Sequence, residues 1–178
     1  TELVKKFIDD YNQNELPRLQ KLEDYYEAKN EILKRLMADD TKPNNKIANP
    51  YASYITDTLT GYFMGEPISY SALEEKVLEE LNLIFEYNDE ADENVELARA
   101  CSIYGKAFEL LYVDEEGAVR FKRLDTKECT PIFDDTIEND LLYLIRFYPD
   151  KDWVENKNFA WIEVMDKTAT RRYRANEN

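Results

Sequence analysis

Histidine is absent from this chain of 178 residues, and cysteine and glycine are scarce. Without imidazole there is no Ser-His or Cys-His nucleophile pair, and a principal zinc ligand is missing. The two cysteines, Cys101 and Cys129, lie far apart, so there is neither a CxxC pair nor the disulfide framework of a small secreted domain. That usage implies a reducing compartment. The four glycines, at 61, 65, 105 and 117, form no GxGxxG or Walker pattern, which removes the phosphate-cradling loops of ATPases. No apolar run reaches the roughly 18 residues of a membrane span, and no basic-then-apolar leader is present.

Positive charge is also in short supply. Thirty-eight acidic residues against 23 basic ones leave a formal charge of −15, a field that repels phosphate backbones. It argues against tight nucleic-acid binding, yet it suits a surface past which DNA slides. What the chain does have is apolar and aromatic: 43% hydrophobic and 13% aromatic residues, including 13 tyrosines, which is too much for disorder. At this length one domain with a core is expected, burying roughly 70% of the unfolded surface. Beginning at Thr1 rather than methionine, the chain reads as a piece of a longer polypeptide.

Periodicity gives the order of elements. Leu3, Val4, Phe7, Ile8 and Tyr11 have helical spacing, and Asn14 can cap a second helix carrying Leu16, Leu19, Leu22, Tyr26, Leu33 and Leu36. Asp39, Asp40, Thr41, Lys42 and Pro43 form a polar break. Ser71 and Glu74 match a capping box ahead of a helix with Leu73, Val77, Leu78, Leu81, Ile84 and Phe85. Asn88 or Asp89 can cap a further helix that Gly105 ends. The period then changes. Ala107 to Val113 and Ala118 to Leu124 are extended runs joined by Asp114 to Gly117, a β-hairpin; Cys129 to Phe133, Leu141 to Tyr148 and Phe159 to Met165 follow as strands, with Pro131 marking an edge. Helices first and strands afterwards predict an α+β fold: N-terminal helices, then a mixed, mainly antiparallel sheet with a hairpin.

The densest stretch is Pro43 to Tyr70. Pro43, Asn44, Asn45 and Lys46 favour a turn, Asn49 can cap a helix, and Pro50 suits its first position. Tyr51, Ile55, Leu59 and Tyr62 recur at spacings of four, four and three, widened by Tyr54, Thr58 and Phe63 into a broad apolar face. Gly65, Glu66 and Pro67 stop the helix. Gly61 inside it costs about 1 kcal/mol relative to alanine and implies a close-packed neighbour. From physics alone this is a buried core helix. Tyr25, Tyr26, Tyr51, Tyr54, Tyr62, Tyr70, Tyr104 and Tyr112 also fall at apolar positions, with rings that serve cores and interfaces alike.

Two constellations carry possible chemistry. Glu109, Asp125, Asp134 and Asp135 fall within or at the ends of strands and would be the carboxylates of a divalent-metal hydrolase or nuclease, although no basic partner is placed by a motif. Arg120, Lys122 and Arg123 surround Phe121, and Arg171, Arg172 and Arg174 surround Tyr173, an interleaving found where aromatics stack on bases. In a strand, however, Arg120 and Lys122 share one face while Phe121 and Arg123 share the other, which sends Phe121 to the core.

The segment from Asn44, Asn45, Lys46 and Ile47 through Gly61 and Tyr62 to Gly65 and Pro67 resembles the signature of tailed-phage portal proteins of the SPP1 type. Leu22, Tyr25 and Tyr26 resemble the run that precedes it. Ser102 to Glu109, with Tyr104, Gly105 and Glu109, resembles the family segment that enters a hairpin, so the likeness covers roughly Lys21 to Tyr148. It implies a single wing-like domain: N-terminal helices over 1–42, signature helices over 43–105 and a β-rich part over 106–178, without stem, clip or crown. It implies no enzyme, no cofactor, no metal and no membrane. Its implied partners are copies of itself in a ring, usually a dodecamer, at the capsid vertex; terminase, scaffolding or capsid proteins and head-completion proteins; and DNA passing without sequence specificity. A piece holding only part of each subunit contact is expected to be mostly monomeric.

Overall fold

The computed structural model describes residues 2–36, 41 and 43–176. Asp39, Asp40 and Lys42 of the anticipated polar break lie outside the described residues. The chain divides into two compact units, one made of the residues up to Pro17 together with those from Asp125 onward, the other of Arg18–Leu124.

In the first unit, α1 (Glu2–Asp10) runs through a π-helical turn, Tyr11–Glu15, into α2 (Leu16–Tyr26). Asn14 therefore caps no second helix; its Nδ2 donates to Asp10 Oδ1 at 2.7 Å. Pro17 accounts for the turn, because it has no N–H for the carbonyl four residues back and its ring crowds that carbonyl, so the ladder loosens just ahead of it. The turn buries Tyr11, whose hydroxyl donates to the carbonyls of Thr126 (3.3 Å) and Lys127 (3.1 Å) and whose ring meets Phe147 edge-on at 5.5 Å. Phe147 belongs to an antiparallel four-stranded meander, β3 (Cys129–Phe133), β4 (Leu141–Asp152), β5 (Lys157–Met165) and β6 (Thr170–Asn176), in that spatial order. Ile145, Phe159, Val164 and Cys129 are its most buried side chains.

The second unit contains most of α2, a 3₁₀ turn Glu31–Lys34, the helices α3 (Tyr51–Phe63), α4 (Glu75–Asn88) and α5 (Glu90–Tyr104), and the hairpin β1 (Phe108–Val113) with β2 (Val119–Leu124). The α+β class stands as expected, all strand pairs are antiparallel, and the hairpin is a separate two-stranded ribbon. Leu33 and Leu36 do not continue α2. The helix ends at Tyr26, Ala28 has a φ of +57°, and Leu36 is 90% exposed.

Several anticipated caps are not formed. Helix α3 starts at Tyr51 with Pro50 at the cap position in place of Asn49; Pro50 has a non-helical ψ of 46°, and its carbonyl accepts from Ser53 Oγ at 3.0 Å. The Ser71/Glu74 capping box is absent, since α4 begins only at Glu75 behind an extended Glu74. Asp89 joins α4 to α5 in the left-handed conformation (φ 56°) without a side-chain cap bond. Gly105 does end α5 as expected: its φ of +78° is one glycine adopts at no steric cost, and its N–H reaches the Cys101 carbonyl at 2.8 Å.

Candidate functional site, an uncovered apolar helix face

Helix α3 lies against α5 with its polar side inward. Thr56 and Thr60 are 7% and 4% exposed, and Ser102 Oγ on α5 donates to Thr56 Oγ1 at 3.3 Å. Thr60 Oγ1 is buried with no partner among the described residues. Because successive helical residues turn by about 100°, burying positions 56 and 60 directs the aromatic and aliphatic stripe outward. Tyr51, Tyr54, Ile55, Leu59 and Phe63 are all exposed, and Tyr62 is 91% exposed. The buried core helix anticipated from periodicity is thus inverted, with threonines in and large apolar side chains out. Most of the anticipated core tyrosines share that fate: of those named above only Tyr104 is buried, its hydroxyl donating to Glu23 Oε1 at 2.9 Å.

The glycines also exchange roles. A Cβ on Gly61 would meet nothing within 4 Å, so no element packs closely against that residue. A Cβ on Gly65 would lie 2.5 Å from the Gly61 carbonyl oxygen, so the close approach is at the helix end. It lets Met64 to Ile68 turn beside Asp89 to Val95, where they line a shallow cleft that includes Pro67. Tyr70 then stacks on Phe85 at 4.5 Å and donates its hydroxyl to Glu90. Upstream, Asn44 Oδ1 accepts from Arg35 Nε (3.2 Å) and Nη2 (2.9 Å), and the Asn45 carbonyl accepts from Arg35 Nη2 at 3.4 Å. Lys46 and Ile47 are exposed.

The carboxylates considered for a metal site have local jobs instead. Asp125 accepts from the Lys127 amide at 2.9 Å at a 3₁₀ turn. Asp134 closes the β3–β4 loop by accepting from Thr136 Oγ1 and the amides of Thr136 and Asp140, and the Thr136 hydroxyl, first among these, holds its carboxyl below the usual range. Asp135 is exposed on that loop. Glu109 belongs to the other unit, on β1, where burial first and then the charges of Glu93 and Glu90 push its carboxyl up. Among the described residues no group of three or more His, Cys, Asp or Glu could hold a metal ion.

Of the basic residues in the two clusters, Lys122, Arg171, Arg172 and Arg174 pair with carboxylates. Lys122 pairs with Glu93, which is buried on α5 and also accepts from the Arg123 amide at 3.1 Å. Burial pushes the Glu93 carboxyl up, but these donors outweigh it and hold it below the ordinary value. Arg120 lies over the Tyr87 ring, while Phe121 on the opposite face is half-buried. Sequence reading missed β6, whose Arg171, Arg172 and Arg174 bind Asp166, Glu163 and Asp152 respectively. Arg172 also lies over Trp161 and Arg174 over Phe159. The only signal was alternation of charged residues around Tyr173, the pattern of a charged edge strand.

The exposed, aromatic-rich face of α3 has the character of a contact surface. Residues 5–178 match the family described as phage portal protein, SPP1 Gp6-like. The chain belongs to this portal protein family. It is similar to the portal protein of Bacillus phage SPP1, 27% identical in an alignment 162 positions long that covers 85% of this chain and 31% of that relative. The portal match reaches beyond the Lys21 to Tyr148 stretch that carries the sequence motifs, taking in most of α1 and the strands β5 and β6. The chain spans about a third of the length of that portal relative. Among the described residues no helix is long and apolar enough to cross a membrane.

Proposed function

We infer that this chain is the wing region of a phage portal subunit, a structural element with no catalytic role. In the complete subunit it would hold its place in a closed ring of copies at the capsid vertex. DNA would pass through that ring without sequence specificity during packaging and ejection. The ring's further partners would be terminase, the scaffolding or capsid proteins and the head-completion proteins, first in the host bacterial cytoplasm and then in the virion.

The observation that carries this reading is the outward apolar face of α3 within the segment that holds the family signature. A monomeric protein rarely leaves so many large side chains uncovered on one helix. The net charge of −15 supports the same reading, because an acidic wall does not arrest a passing phosphate backbone. Asn44, Asn45, Lys46, Ile47, Gly61, Tyr62, Gly65, Pro67, Tyr104, Gly105 and Glu109 serve here as structural signature residues, shaping the approach to α3 and the exit from α5.

Native mass spectrometry and electron micrographs of the full-length gene product test the reading. Closed rings with a central hole are expected. A product that stays monomeric as its concentration is raised overturns it.

A further inference from the structure

The outward face of α3 borders a groove between α3 and α5, lined among others by Leu59, Phe63, Met64, Leu97, Ala98 and Cys101 and about 650 Å³ in volume. No charged side chain lines it, although the chain carries a net charge of −15. The neighbouring cleft shares Met64 and Asn94 with it and is lined by Glu66, Asp89 and Asp92. An apolar floor between two helices, with carboxylates beside it, matches an amphipathic helix that brings an apolar stripe and basic flanks.

Two considerations select the source of that helix. The match covers 31% of the SPP1 relative, so more than two-thirds of that polypeptide has no counterpart in these 178 residues. A segment of the same polypeptide is also held at high effective concentration, whereas a second copy has to be recruited from solution. We propose that the α3–α5 groove seats an amphipathic, basic-flanked helix supplied by the part of the same subunit that lies outside the matched third. The proposal rests on the portal reading above.

Cys101 provides the readout. It is exposed on the groove wall, while Cys129 is buried, with burial pushing its thiol up to about 12, and serves as an unreactive reference. Residues 1–178 and the full-length gene product, both as dilute monomer and as assembled ring, are treated with iodoacetamide, and labelling of the Cys101 peptide is followed by mass spectrometry. Cys101 is expected to react freely in residues 1–178 and about tenfold or more slowly in the full-length monomer, as for a site reached only by local opening. Phe63→Glu in the full-length protein is expected to restore fast labelling, since Phe63 is exposed in the present chain and its replacement leaves the fold intact.

Equal rates in residues 1–178 and the full-length monomer overturn the proposal. So does protection that arises only in the ring, which assigns the groove to a second copy, and so does a gene product of no more than 178 residues. Unchanged protection in the Phe63→Glu protein also counts against it. Rings with a freely reactive Cys101 refute the groove proposal alone, and a protected Cys101 without rings refutes the portal reading alone.

Discussion

The side-chain amide of Asn88 binds the outer edge of β2 as a neighbouring strand would, its Oδ1 accepting from the Phe121 N–H at 3.2 Å and its Nδ2 donating to the Val119 carbonyl at 2.9 Å. Nδ2 also donates to the Ile84 carbonyl at 2.8 Å, so one buried residue ties the end of α4 to the hairpin. An isolated two-stranded ribbon is marginal in water, and this amide supplies part of what a third strand would.

Asn88→Ala is therefore expected to lower the stability of the Arg18–Leu124 unit by about 1–2 kcal/mol, because part-buried backbone groups lose their partner. Asn88→Asp keeps the acceptor for Phe121 but sets a carboxylate against the Val119 carbonyl, and is expected to be no less damaging. Urea denaturation followed by far-ultraviolet circular dichroism measures both. A loss below about 0.5 kcal/mol for Asn88→Ala, the range of an ordinary surface change, would show that water replaces the amide without cost.

The two glycines near the end of α3 are expected to respond in opposite directions. Gly61→Ala places its Cβ in open space within a helix and is expected to stabilise by about 1 kcal/mol through helix propensity. Gly65→Ala drives a Cβ to 2.5 Å from the Gly61 carbonyl oxygen and is expected to cost about 1–3 kcal/mol, as overpacking does. Thermal melts of the two variants side by side decide the matter, and equal shifts of the same sign would refute the assignment.

How much of this was legible follows from what periodicity reports. The spacing of Tyr51, Ile55, Leu59 and Tyr62 correctly marks a helix and its apolar stripe, but nothing in spacing says whether that stripe is covered. Only the packing of Thr56 and Thr60 on α5 settles which side is in. The hairpin was legible because Asp114 to Gly117 combines turn residues with Gly117 at a φ of +83°. Strand β6 was not, since its face is read through ion pairs to Asp166, Glu163 and Asp152 rather than through apolar alternation. The Ser71/Glu74 box failed because an N-cap motif is permissive: the chain stays extended through Glu74 and the helix starts only at Glu75.

Glu109 gives a pH signature. Burial and the charges of Glu93 and Glu90 raise its folded pKa above the unfolded value, so its contribution is fully present below the unfolded pKa and lost as pH rises through the folded one. Glu109→Gln removes that loss. It is expected to stabilise the protein at pH 7 and to have little effect below about pH 4, under the ordinary carboxylate value. Chemical denaturation at the two pH values measures the difference, and a gain that is equal at both would exclude titration of Glu109 as its cause.

Tyr62 separates folding from assembly. At 91% exposure its ring contributes little to the fold, so Tyr62→Glu is expected to change the unfolding free energy of residues 1–178 by no more than about 0.5 kcal/mol. The same change places a charge on the apolar face of α3. If that face is covered in the complete subunit or its ring, the charge must be desolvated without a partner, which costs several kcal/mol and favours the open state. The full-length Tyr62→Glu protein is thus expected to show a markedly reduced ring population in native mass spectra, while residues 1–178 with the same substitution keep the circular dichroism spectrum and melting temperature of the parent chain. Rings formed at the parental level by the variant would mean that Tyr62 stays in solvent even in the assembled portal, and the apolar face would then need a different occupant centred on Ile55 and Leu59.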